Sequence, residues 1–560
     1  MKNAFLNPLF VLFILLNFLL ASDSDDDWFK KKFIHLGWDI PNTEYLRLHW
    51  QDMEESSPFD GVMFYLIGKS DGKNRVNTES VWNTNKWEAR WFSDAIWDLK
   101  QCRFKKFTDN FIRFNATPGD IDWEDDNGWQ NLFEKARICS QIAKECGAKG
   151  LAIDFESYGK PQFKYNLSSK LSFEQTKAIA RKRGQGFVQA IAKEQPDAIL
   201  LALWLNSINL KAANSDNPDS VLITGEYGLL PSFIDGMLDS IPASMTLVDG
   251  CEYGYYMDSS EEFLQAANNI RSWTGPAMRL VSLENRKKYL AQTQVGFGIY
   301  LDMYLNEPGN RYYLPPLDGS RLKRLYRNLN AAAIAADKYV WIYGEQCRWW
   351  QTITRSNWFD SLSKTAGKGK LWDEAMPGIK RLITFVKNPH EFIEQELKNK
   401  ALTNIAVNRD FSLIDGNGNL LGFSVWQDEK LPKGVFIHDK NIGNGSALAK
   451  KVSRGCLIQK HNVAAGEFFY LRIKAVFKGN CAPSLMARWQ TADGKWCCEN
   501  KDKIFTFKKT GSEWQMAQGL VQVPDSAGYL VILLNVSGQS SDRDQCWFDD
   551  LEVYKLPPLF

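Results

Sequence analysis

From residue 31 onward, short apolar runs rich in β-branched and aromatic residues alternate with longer stretches whose apolar positions recur at helical spacing. Eight runs have this character: "KFIHLGWDIP", "FDGVMFYLIG", "NFIRFNATPG", "KGLAIDFESYG", "AILLALWLNS", "SMTLVDG", "QVGFGIYLDMY" and "KYVWIYGEQ". Between them, "WQNLFEKARICSQIAKECG", "FEQTKAIARKRGQGFVQAIAKEQ", "SEEFLQAANNIRSW" and "GSRLKRLYRNLNAAAIAAD" read as amphipathic helices. Repeated β-α units across residues 31–395 predict an α/β chain built on a (β/α)8 barrel of the TIM type. A doubly wound open sheet is the alternative, but no Gly-rich phosphate loop follows the first run.

Side chains alternate across a strand, so each run can be phased. In the fourth run Ala152, Asp154 and Glu156 oppose Leu151, Ile153 and Phe155, and the polar set is expected to face the barrel interior. The same argument points inward His35, Gly37 and Asp39 of the first run, Arg113 and Asn115 of the third, and Ala202, Trp204 and Asn206 of the fifth. In the seventh it points inward Gly296, Gly298, Tyr300 and Asp302. The sixth run ends at Asp249 and the eighth at Tyr343 and Glu345. The expected interior is thus small at the bottom and acidic, amide-bearing and aromatic at the C-terminal rim, where such barrels carry their active sites.

The pattern changes around residues 388–405. Alternating strands separated by turn residues follow, which predicts an all-β sandwich over residues 403–560. The segments "NRDF", "GFSVWQ", "YLRIKAVFKG", "SEWQ" and the closing "WFDDLEVYKL" resemble the jelly-roll carbohydrate-binding modules appended to secreted glycoside hydrolases. That resemblance implies a structural calcium held by Asp549, with Asp410 as a further ligand, and a glycan as partner. A packing domain without a ligand is the other reading.

Charge and composition narrow the function further. The net charge of +2 names neither nucleic acid nor an anionic membrane as partner. At the N-terminus Lys2 precedes "NPLFVLFILLNFLLAS" and then "DSDDD", the pattern of a signal peptide over residues 1–22 cleaved near Ala21 or Ser22. The mature protein is then expected to be secreted or periplasmic, with no membrane association after cleavage. The ten Cys show no zinc spacing with His, and the adjacent Cys497 and Cys498 are open to pairing with Cys481 or Cys546. The chain is rich in aromatics, with 21 Trp, 19 Tyr and 34 Phe. The loop "VWNTNKWEARWFSD" offers Trp82, Trp87 and Trp91 either as a sugar platform or as pins holding the loop to the barrel.

The barrel region before residue 388 holds only His35 and His49, and the chain lacks a G-x-S-x-G elbow and a dinucleotide fingerprint. Carboxylates, amides and aromatics remain in quantity, and these are the parts of glycoside hydrolysis, which needs no cofactor. "KGLAIDFE" resembles the D-G-x-D-x-D-x-E motif of chitinase-type barrels through Gly150, Asp154 and Glu156, with Lys149 and Ala152 where that family has Asp. The resemblance implies Glu156 as general acid and Asp154 as the neighbour tuning it. The second carboxylate is sought in Glu345 and Asp302 first, with Asp249 and Glu252 as rivals. Asp39, Tyr65, Arg113, Asn115, Trp204, Asn206, Asp249, Tyr300 and Tyr343 are the candidate substrate contacts. The expectation is a secreted glycoside hydrolase acting on a poly- or oligosaccharide. The alternatives are a polysaccharide-binding protein without chemistry and a lyase working through Arg113 with Tyr65 or Tyr300.

Overall fold

The computed structural model describes residues 31–70, 74–350, 370–441, 445–507 and 511–560. The expected signal peptide lies outside the described residues. The chain divides into two compact units, one running to Asn388 and taking in Phe560, the other Pro389–Leu559.

The first unit is the expected barrel. Its strands are Lys32–Gly37, Gly61–Phe64, Phe111–Asn115, Gly150–Asp154, Ile199–Ala202 and Thr246–Asp249, a seventh in two pieces, Thr293–Val295 and Phe297–Tyr300, and an eighth, Tyr339–Gly344. All barrel pairings are parallel, and the first strand pairs with both the second and the eighth. The ring closes through Gly296, which breaks the seventh strand. The piece before it pairs with the sixth strand, and the piece after it pairs with the eighth. The main helices are Asp126–Cys146, Phe173–Glu194, Leu230–Ser240, Ser260–Ile270 and Arg321–Ala335. Phe173–Glu194 starts at a capping box, with Ser172 and Gln175 each satisfying the other's backbone N–H.

Register corrects part of the phasing. Trp341 pairs with Ile34 and Gly298, and Tyr343 with Leu36 and Tyr300, so Ile34 and Leu36 share the inward face and His35 does not. His35 is buried against Phe59 and Trp350, and its Nε2 lies 2.8 Å from Asp39 Oδ1. In the fifth strand Leu201 shares the face of Ala152 and Val248, which leaves Ala202 and Asp249 on the other side. Both faces of these strands are apolar, so hydrophobicity alone does not distinguish interior from helix-facing positions. Nor is the bottom of the barrel small. Phe111 and Tyr339 fill it with ring centroids 5.5 Å apart, and Tyr339 donates a 2.7 Å hydrogen bond to Asp109.

The second unit is an antiparallel β-sandwich, in accord with the sequence. One six-stranded sheet includes Arg454–Asn462, Tyr529–Ser537 and Ser484–Gln490, and one five-stranded sheet includes Ser446–Lys450, Gln545–Lys555 and Phe468–Lys478. Leu457, Leu485, Ala487, Ile532 and Leu534 of the first sheet meet Leu471, Ile473, Ala475, Phe548 and Val553 of the second in one core. Helix Pro389–Lys398 belongs to this unit and lies on Phe468–Lys478, where His390 Nδ1 hydrogen-bonds Tyr470 at 3.0 Å and Glu394 pairs with Arg472.

Candidate active site

The site rests on an aromatic floor. Trp341 crosses the barrel interior and donates from Nε1 to the Gly250 carbonyl at 2.8 Å. A Cβ on Gly298 would come within 2.5 Å of its ring, and one on Gly250 within 2.8 Å of its Nε1, so these two glycines make the room that the indole occupies. Toward the C-terminal rim, Tyr300 and Tyr343 have centroids 5.1 Å apart, and Tyr255 lies 5.2 Å from Tyr300 and 5.4 Å from Trp341.

On one side of this floor the third and fourth strands deliver a carboxylate group. Arg113 Nη2 donates to Asp154 Oδ2 at 2.8 Å, and Asn115 Nδ2 donates to the same oxygen at 3.2 Å. The other Asp154 oxygen accepts the backbone N–H of Glu156 at 2.9 Å and fixes the turn that carries Glu156 onto the rim. Glu156 accepts a 2.8 Å hydrogen bond from the exposed Tyr158 hydroxyl. Burial raises the Asp154 carboxyl above its ordinary range against the opposing pull of Arg113. Burial also raises Glu156. The Tyr158 hydrogen bond opposes this, and the charges of Asp154 and Glu226 reinforce it.

Glu252, at the start of the turn Glu252–Tyr256 beyond the sixth strand, feels the charges of the same group. Burial, then the charges of Asp154 and Glu156, push its carboxyl up to about 8. Its position is set by fully buried Asp249, which accepts from Ser207 N at 2.9 Å, Ser207 Oγ at 2.5 Å and Cys251 N at 3.2 Å. Cys251 turns through φ +37°, and Glu252 N then reaches the Leu203 carbonyl at 3.1 Å. Asp249 is therefore occupied in holding this turn, and its place is beneath Glu252.

Across the floor lies a second acidic group. Asp302 is fully buried and accepts the backbone N–H groups of Glu345 at 2.7 Å and Gln346 at 2.9 Å, and burial pushes it up to about 7. Glu345 accepts from the Tyr343 hydroxyl at 2.7 Å. Tyr343 and Tyr255 stack in parallel, 6.2 Å apart, between the two groups.

The structure thus gathers Asp154, Glu156, Arg113 and Asn115 by direct hydrogen bonds, and Asp302, Glu345, Tyr300 and Tyr343 in a neighbouring set. Other sequence-selected positions are placed apart. Asp39 is buried between His35 and the backbone N–H of Trp349, which it accepts at 2.8 Å. Asn206 is fully buried at the start of a short turn, Asn206–Asn209. Trp204 is buried edge-on to Tyr227, 5.5 Å away. Tyr227 itself feels the charges of Glu156, Glu226, Asp154 and Glu252. Tyr65 is half-buried and bridges to Asn42 at the end of the second strand. Trp82 is fully buried among Trp129, Phe155, Phe163, Phe187 and Phe233, and Trp87 is buried against Phe92, so these two pin their loop and offer no sugar platform. Glu252, Tyr158, Tyr227 and Tyr255 are the members that strand phasing passes over, because they lie on turns beyond the strand ends. The signal for Glu252 was its place two residues after a strand-ending Asp-Gly.

In the second unit Asp549 is half-buried. Burial, and then the neighbouring Asp550 and Asp410 against the pull of the Asp550 backbone N–H and Lys474, hold it at about 6. Lys474 pairs with Asp550 at 2.7 Å. Among the described residues no group of three His, Cys, Asp or Glu side chains assembles, and no helix is long and apolar enough to cross a membrane.

No protein-family model matches the chain, and no curated protein does. Solved structures match it in part. The enzymatically active domain of bacteriophage CBA120 tailspike protein 4 is 13% identical over 27% of this chain, with a TM-score of 0.23, and the match spans only 21% of that domain. A family 61 carbohydrate-binding module in complex with β-1,4-galactotriose is 16% identical over 28% of this chain and 99% of the module, with a TM-score of 0.21. The Clostridium thermocellum endo-1,4-β-D-xylanase 10B, its binding and catalytic modules complexed with xylohexaose, is 10% identical over 28% of each chain, with a TM-score of 0.19.

Proposed function

We propose that the barrel hydrolyses glycosidic bonds with Glu156 and Glu252 as its carboxylate pair. The observation that carries this reading is the burial of two rim carboxylates, Glu156 and Glu252, with the charges of Asp154 and Glu156 raising Glu252, beside a tyrosine and tryptophan floor. Glycoside hydrolysis needs one carboxyl group that holds its proton and one that does not, flanking a ring that stacks on aromatic faces. Glu252, raised to about 8, holds the proton at neutral pH and donates it to the leaving oxygen. Glu156, whose rise the Tyr158 hydroxyl on one oxygen opposes, then takes the part of the carboxylate that attacks the anomeric carbon or activates water, in place of the general-acid role that the motif resemblance implies. Asp154, locked by Arg113 and Asn115, orients Glu156 through its backbone. Arg113 is committed to Asp154, which speaks against its serving as the charge neutraliser of a lyase.

The test is reducing-end release from a panel of polysaccharides and aryl glycosides with wild type, Glu156→Gln and Glu252→Gln. Each variant is expected to lose roughly 10²–10⁴-fold in rate on an unactivated substrate. Glu252→Gln should recover on substrates with a good leaving group, and Glu156→Gln should respond to azide. Unchanged rates in both variants would overturn the assignment. Binding without turnover in wild type would mark a polysaccharide-binding protein instead.

The reading includes export behind the leader at residues 1–22. It also includes a structural calcium ion at the sandwich, which the Asp549 and Asp410 carboxylates would hold. Removing calcium with a chelator should lower the melting temperature of wild type and leave Asp549→Asn unmoved.

A further inference from the structure

Cys546 is the second residue of strand Gln545–Lys555 and is fully buried in the sandwich core. In register it faces Phe477 on one neighbouring strand and Ala449 on the other. Cys481 lies four residues beyond Phe477, in the turn that carries the chain from Phe468–Lys478 in the five-stranded sheet to Ser484–Gln490 in the six-stranded one. Gln539 ties these places together: its Nε2 donates to the Ala449 carbonyl at 3.2 Å and to Cys481 Sγ at 3.4 Å. Cys481 packs against the core cluster that holds Cys546, and each thiol acts on the proton affinity of the other. Cys498 lies 3.0 Å from Ser526 Oγ, and it also acts on the thiol of Cys497, its neighbour in the chain.

From this geometry we propose that Cys481 and Cys546 are joined by a disulfide when the protein meets a thiol oxidant of the disulfide class. Cys481 is partly exposed and Cys546 is not, so the order of events follows. The Cys481 thiolate attacks one sulfur of a small disulfide such as oxidised glutathione and expels one glutathione thiolate. The Cys546 thiolate then attacks Cys481 Sγ from inside the core and expels the second. One S–S bond forms as one is broken. The two thiol protons and the two electrons leave with two reduced glutathione molecules. Cys546 and then the Gln539 N–H favour the Cys481 thiolate against the burial that opposes it, which suits it to the first attack. The bond closes a loop holding every strand from Ser484–Gln490 to Tyr529–Ser537, which restrains the unfolded chain as well as the folded one.

The experiment treats the full chain with oxidised glutathione, unfolds it, caps free thiols with an alkylating agent and maps the digest. Cys481 and Cys546 are expected uncapped, in one cross-linked peptide that reductant splits, while Cys102, Cys139, Cys251 and Cys347 carry the cap. Cys481→Ala should leave Cys546 capped, and Cys546→Ser should leave Cys481 either capped or as a glutathione mixed disulfide. Reductant should lower the melting temperature of oxidised wild type and leave oxidised Cys481→Ala unmoved. Capping of both residues in folded, glutathione-treated wild type overturns the proposal. A cross-link from either residue to Cys497 or Cys498 does so as well.

Discussion

Holding Glu252 beside Asp154 and Glu156 has a cost that can be read in stability. Its folded-state carboxyl binds a proton up to about 8, whereas in the unfolded chain it lets go in the ordinary range near 4.3. A raised folded value means that the stability it contributes is whole below the unfolded value and is lost as pH rises through about 8. Glutamine has no proton to lose. Glu252→Gln should therefore melt progressively higher than wild type between pH 5 and 9, with the gap opening by about 2–4 °C per kcal/mol. A gap that stays constant with pH would place the proton elsewhere. The alkaline limb of the activity profile should fall through the same region, as the acid loses its proton. At this scale the sequence was half legible. The "IDFE" stretch marked Asp154 and Glu156, because a polar pair ending an apolar run needs a reason. Glu252 was harder to weigh, since its environment depends on the positive-φ turn at Cys251 and on Ser207, which is distant in the chain.

At the scale of elements, the loop after the second strand shows how burial fixes geometry. Helix Asp126–Cys146 sends Lys135, fully buried, into that loop. Its Nζ donates to Val81 O at 2.9 Å, Asn83 O at 2.7 Å and Asn83 Oδ1 at 2.7 Å. Lys135→Met keeps the volume but takes the Lys135 donor from the Asn83 carbonyl and leaves the Val81 carbonyl with the Asn83 N–H alone, and should cost about 1–3 kcal/mol in denaturant unfolding. A loss below about 0.5 kcal/mol, the ordinary level for a surface change, would show that the loop holds without it. Trp82 and Trp87 serve the same loop. Their aromatic character was visible in the sequence, but their direction was not, because a tryptophan that stacks on sugar and one that stacks on Phe233 are the same letter. Strand existence was read from the runs because each is short, β-branched and bounded by turn residues. Strand phase was misread in the first and fifth, where Ile34 and Leu201 point inward on strands apolar on both sides.

For the molecule as a whole, the order of barrel then sandwich was legible because the two periodicities differ and the change falls in one place. The boundary is less sharp in sequence. Pro389–Lys398 reads as the last helix of the barrel, yet the contacts of His390 and Glu394 place it on the sandwich. Amphipathic spacing says that a helix has a partner and not which one. The closure at Gly296 was likewise hidden, since the run "QVGFGIYLDMY" gives no hint that its halves serve different neighbours. The floor made by Trp341 has a last consequence, one of traffic. An indole bonded to the Gly250 carbonyl, above the packed rings of Phe111 and Tyr339, makes the barrel a blind alley. On the proposed function, substrate and product would therefore both pass over the rim, and nothing would thread through the barrel.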